Sequence, residues 1–161
     1  NTLHAVGVEP TINDDDKRTF LRSILGNKDY EKKYKLFDTV EVTMVDRTVE
    51  LTERMYDQLA EDAKDGSFQK FKIENEEQWD MWADRYRMAA MVRSISGLAP
   101  TVQLYVIPEK FFDRIQEFMK LPKPMYVALM EATRAFEEHV RLLTEKAQEP
   151  GFWRAGGKSL R

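Results

Sequence analysis

The chain has 161 residues, no cysteine, 42% hydrophobic and 33% charged residues, and a formal net charge of −3. That size and balance fit one domain with its own core, and they exclude a disordered chain, a disulfide scaffold and thiolate metal sites. A pI near 5.6 supplies no broad positive field, so duplex DNA is not expected as the main partner, and no apolar run approaches the ~18 residues that read as a membrane span.

In chain order, residues 1–15 read as an N-terminal arm, 16–151 as a single globular domain and 152–161 as a basic C-terminal tail. Asn13 to Asp16 precede an apolar stripe of Phe20, Leu21, Ile24 and Leu25 at helical spacing, closed by Gly26. Carboxylates in that place complement the positive end of a helix dipole. A calcium loop would need a central Gly and a distal bidentate Glu, and the run lacks that pattern.

From Tyr30 the period changes to two. Tyr34, Leu36, Val40, Val42 and Met44 alternate with polar neighbours, with a turn at Asp38 and Thr39 and another at Asp46 and Arg47. This is the pattern of a half-buried antiparallel hairpin, with Val49 and Leu51 as candidates for a short third strand. Thr52 then reads as the N-cap of a helix from about Glu53 to Asp65, whose buried stripe is Met55, Tyr56, Leu59 and Ala63, ended by Gly66.

Asn75 and Gln78 have capping-box spacing, Glu76 and Glu77 load the first turn, and a helical pattern runs on to Gly97. Trp79, Trp82, Tyr86 and Ala89 share one face and Met81, Met88, Val92 and Ile95 lie close to the other, which places this helix in the middle of the domain with both Trp largely buried. Val102, Leu104 and Val106 fit either a strand or a buried loop. Pro108 suits the first position of a helix carrying Phe111, Phe112, Ile115, Phe118 and Met119. Pro122 and Pro124 interrupt the pattern. The last helix spans about Met125 to Gln148, and its seam of Leu129, Thr133, Phe136, Val140, Leu143 and Ala147 favours packing within the chain. The fold expected is therefore α+β and mainly helical: about five helices with a small antiparallel sheet near residues 30–51.

Residues able to carry chemistry are few. The histidines are His4 and His139. Glu138 and His139 lack the second histidine of a zinc-protease helix, which leaves a solvent-facing or capped role for His139. There is no phosphate loop, nucleophile elbow or dinucleotide fingerprint. Adjacent acids such as Glu76 with Glu77 project about 100° apart on a helix and cannot act on one bond. The expectation is a non-enzyme, with no catalytic, cofactor-binding or metal-binding residue.

Recognition is the better-supported role. Eight Met and many aromatics on helical faces suit an adaptable apolar surface, and Met119, Met125 and Met130 flank the prolines where a groove between helices could open. Phe152 and Trp153 follow a Pro-Gly stop, so Trp153 is the expected anchor of a protein contact, with Arg154, Lys158 and Arg161 as its electrostatic rim. The bland alternative is that the pair plugs its own core.

The order of FLRSILGNKDYEKKYKLFDTVEVTMVDRTVELTERMYDQL, then WDMWADRYRMAAMVRSISGL, then a helix ending in EPGFW resembles small tail-assembly chaperones of tailed bacteriophages, from about Lys17 to Trp153. The resemblance implies a non-enzymatic role in the host cytoplasm: covering an apolar helix of the tape-measure protein until tail-tube subunits polymerise around it. Self-association stays open. Two other classes are a virion subunit at a tail or baseplate joint, and a small nucleic-acid-associated packaging or regulatory protein using Lys158 and Arg161.

Overall fold

The computed structural model describes residues 12–97, 107–155 and 158–159. Helix α1 (Asp14–Leu25) starts where expected. The Asn13 side chain accepts from the Asp16 N–H at 2.8 Å and the Asp16 carboxylate accepts from the Asn13 N–H at 3.2 Å, a reciprocal capping box. Only Asp16 and Phe20 of α1 are buried. The expected stripe is thus corrected: Ile24 and Leu25 are 55% and 61% exposed, because the helix meets the body along a narrow edge.

Strands β1 (Glu31–Leu36) and β2 (Val40–Val45) form the antiparallel hairpin, paired from Glu31 with Val45 to Leu36 with Val40. Its turn puts Phe37 and Asp38 at φ 54° and 61°, the left-handed backbone that a tight hairpin turn demands. Helix α2 (Val49–Ala63) follows directly, with Thr48 as N-cap, its hydroxyl accepting from the Leu51 N–H at 3.2 Å. Val49 and Leu51 are helical and do not form a third strand, and Thr52 lies within the first turns.

The third strand comes from elsewhere. Helix α3 (Glu76–Met91) starts at Asn75, whose side chain accepts from the Gln78 N–H at 2.9 Å, but it stops at Met91, and β3 (Val92–Ser96) adds to the free edge of β2. Pairing sets Ile95 opposite Val42 and Val92 opposite Met44. A continuous helix to Gly97 would leave the β2 edge unpaired and its inner face uncovered. The carbonyls released at this abrupt ending are taken by arginines: Arg47 donates to the Ala90 carbonyl, and the buried Arg114 donates to the Val92 carbonyl at 2.8 Å. Gly97 has φ +93°, and a Cβ there would sit 2.9 Å from the Thr39 carbonyl, so the strand ends on a residue that only Gly satisfies.

A 3₁₀ turn at Pro108–Lys110 leads into α4 (Phe111–Met119), and α5 (Lys123–Lys146) begins after Pro122. The Val102, Leu104 and Val106 run lies outside the described residues. Helix α5 crosses the inner face of β1 and β2, while α3 packs on α2, α4 and α5. The layers meet at Phe136, which stacks on Tyr30 at 6.0 Å between ring centres and meets the Tyr34 ring edge-on at 6.4 Å. Of the predicted seam, Leu129, Thr133, Phe136 and Leu143 are buried within the chain. The architecture is α+β and mainly helical, as the periodicities predict, but its sheet runs to residue 96. Among the described residues no helix is long and apolar enough to cross a membrane.

Candidate functional site

Helical spacing brings Glu77, Asp80, Met81, Asp84 and Arg85 of α3 onto one side of that helix, and Tyr126, Met130 and Arg134, four apart, onto the facing side of α5. Together they line an open groove of about 460 Å³. Met81, 42% exposed, and Met130, buried to 8% exposure, supply thioether surface. Val127, on the α5 turn beside Tyr126, is also exposed.

Most charges here are already committed. Asp84 takes Arg87 on its own helix and accepts from Arg134 of α5 at 3.1 Å. Arg87 also donates to the Tyr56 hydroxyl at 2.8 Å and pairs with Glu137 at 3.3 Å, which ties α2, α3 and α5 together. Burial works against the Arg87 charge, yet Tyr56, Glu137 and Asp84 outweigh it and raise its pKa; burial raises that of the Glu137 carboxyl, with Arg87 opposing. Arg85 lies over the Trp82 ring, 4.6 Å from its centre, and donates to the Tyr126 hydroxyl at 3.0 Å. Glu77 and Asp80 have no ion pair among the described residues.

The predicted interface residues scatter. Phe152 is only 8% exposed, and Trp153 stacks on Phe20 at 6.3 Å and meets Phe152 edge-on at 4.7 Å, with the Lys17 ammonium 4.8 Å from the Phe152 ring centre. The pair closes α1 against the end of α5. This corrects two expectations: the globular unit continues past residue 151, and Phe152 is a core residue with no surface to offer, because two large aromatics next to Phe20 lose more water by folding back. Arg154 is exposed at the start of β4 (Arg154–Ala155), which pairs with β5 (Lys158–Ser159); Arg161 lies outside the described residues. Met125 is likewise buried, while Met119 is 48% exposed at the end of α4. Of the three Met predicted to flank a groove, Met130 lines the one between α3 and α5. Sequence reasoning placed Met81 on a buried side of α3 and did not single out Tyr126; the acids at 77, 80 and 84, spaced by three and four, are the signal that marks this face as solvent-facing.

A second constellation is buried. His139 is 5% exposed, which rules out the solvent-facing one of the two roles expected for it, solvent-facing or capped, and its Nε2 lies 2.8 Å from the Tyr30 hydroxyl and 3.9 Å from Asp16 Oδ1. Lys32 donates to the same Asp16 oxygen at 2.9 Å. Burial lowers the His139 pKa, with Asp16 opposing and Lys32 adding to the drop; burial, then Asp16, raises that of Tyr30. The neutral imidazole and the protonated Tyr30 hydroxyl share one hydrogen bond whose direction follows the histidine tautomer, and the cluster fastens α1 to β1 and α5. Among the described residues no three His, Asp or Glu side chains converge as metal ligands.

No protein family, curated protein or solved structure matches this chain.

Proposed function

We propose that this chain is a non-catalytic assembly factor of a phage tail, which covers an apolar helix of the tape-measure protein before tail-tube subunits enclose it. The resemblance over Lys17 to Trp153 supports the class. The observation that carries the reading is the groove between α3 and α5: each helix contributes a row of side chains at helical spacing, and Met81, Tyr126 and Met130 supply its apolar lining. Such rows accept a third helix, whose side chains at i, i+3, i+4 and i+7 interdigitate with them. Methionine suits this task because its unbranched thioether re-packs against differing partners.

Two measurements test the reading. Pull-down with the intact chain from infected or co-expressing cells is expected to recover a tape-measure-type protein, and capture is expected to fall at least about tenfold in Met81→Glu, which places a charge in that lining. Mass spectrometry of purified particles is expected to find the chain absent. Its stoichiometric presence in particles would favour the virion subunit at a tail or baseplate joint instead. Retained capture by Met81→Glu would remove the groove from the reading.

A further inference from the structure

We infer that the α3–α5 groove selects its helix by charge: it takes an amphipathic helix that carries Lys or Arg beside its apolar stripe, and it orients that helix with the basic flank over Glu77 and Asp80. The inference rests on the reading above that the groove receives a partner helix, and it adds the partner's chemistry and direction.

The free charges of the groove decide which partner it takes. Five ionic side chains line the groove, and three are satisfied within the fold: Asp84 by Arg87 and Arg134, Arg134 by Asp84, and Arg85 by the Trp82 face and the Tyr126 hydroxyl. Glu77 and Asp80 remain, both exposed and without an ion pair among the described residues. Glu77 sits in the first turn of α3, where it also complements the helix dipole. Asp80 lies beyond that turn, where the benefit has faded, so the dipole does not account for the pair. The two acids are one turn apart at the N-terminal end of the α3 row, and Met81 and Met130 line the same groove. From residue 77 to residue 85 the α3 flank rises roughly 12 Å, about two helical turns. A partner helix laid there meets negative potential at one end; at the other it meets Asp84 shared between Arg87 and Arg134, beside Arg85, whose partners are a ring face and a neutral hydroxyl. Cations near exposed acids are attracted weakly one by one, but they set orientation and discriminate against acidic partners.

The test uses two labelled helical peptides of about fifteen residues, with the same Leu and Met stripe, one flanked by Lys and one by Glu, titrated with the intact protein by fluorescence anisotropy. The Lys-flanked peptide is expected to bind at least about tenfold tighter at low salt, with the gap closing as salt rises. In the double variant Glu77→Lys, Asp80→Lys the preference is expected to reverse, and in Met81→Glu the Glu-flanked peptide is expected to lose all binding. Circular dichroism melts check that each variant, altered only at surface positions, stays folded. Equal binding of both peptides, with sensitivity to Met81→Glu, would overturn charge selection and leave the groove as a helix site. Binding of neither peptide would overturn both. A preference for the Lys-flanked peptide that persists in the double variant would place the selection elsewhere and also overturn the inference.

Discussion

His139 sits between opposing influences: burial disfavours its imidazolium, Lys32 adds to that, and Asp16 at 3.9 Å favours it. The net result is a folded-state pKa below the ordinary value of about 6.5. The unfolded chain therefore takes up a proton first as pH falls, and stability drops from about pH 6.5 downward until the folded pKa is reached. Asp46 and Glu137 have raised pKa values, so their contributions run the other way, with stability falling as pH rises through their range. Urea midpoints of the wild type and His139→Gln measured from pH 7.5 to 5 separate these effects, and the His139→Gln profile is expected to lose the decline that begins near pH 6.5. A second buried group makes a residue-scale prediction. Asp62 accepts from Gln58 at 2.8 Å and from Tyr86, and pairs with Lys70 at 3.3 Å. Asp62→Ala leaves the Tyr86 hydroxyl buried without its acceptor, and a loss of about 2 to 3 kcal/mol is expected in urea denaturation.

At the scale of elements, β3 is the decisive piece. Its end at Gly97 combines a left-handed φ with a close approach to the Thr39 carbonyl. Gly97→Ala is expected to cost about 1 to 3 kcal/mol, read as a lowered urea midpoint with an unchanged slope. Helix α1 makes a contrasting case. Phe20 is clasped by Tyr30, 5.3 Å away edge-on, and by Trp153, whereas Ile24 and Leu25 face water. Phe20→Ala is expected to cost about 3 kcal/mol or more, and Ile24→Ala or Leu25→Ala no more than about 0.5 kcal/mol. Similar losses at all three positions would mean that the whole stripe is covered. Trp79 and Trp82, expected to be largely buried, are partly buried and pack against the core. Trp82 is covered on one face by Phe71, at 3.8 Å between ring centres, and by Arg85. The linker between α2 and α3 thus does part of the covering that a longer helical neighbour would have done.

For the molecule as a whole, the boundary of the folded unit lies beyond the Pro150-Gly151 stop. A chain ending at Trp153 is expected to keep its melting curve, because the residues that follow supply none of the buried core side chains among those described. A chain ending at Gly151 is expected to melt at clearly lower temperature, since it loses Phe152 and the cover over Phe20. Equal melting of the two truncations would show that the aromatic pair contributes nothing to the fold and would return it to the role of an exposed anchor.

What the sequence by itself determined are features whose physics is complete within a few residues. Asn13 and Asn75 cap helices because their side chains reach backbone N–H groups three residues on; Pro108 and Pro122 mark helix starts through a fixed φ; and the alternation from Tyr34 to Met44 carries a strand period whatever packs against it. The groove was legible only in part, through Met130 and the acidic spacing on α3. Tertiary structure decided the rest. Val92 and Ile95 suit a helix or a strand equally well by local pattern, and the free edge of β2 made them a strand. His139 became a buried hydrogen-bond partner because Tyr30, more than a hundred residues earlier, brings a hydroxyl to it. Phe152 and Trp153 folded inward because Phe20 lay beside them. In each case the deciding free energy belongs to a pair of groups distant along the chain, and no local period records it.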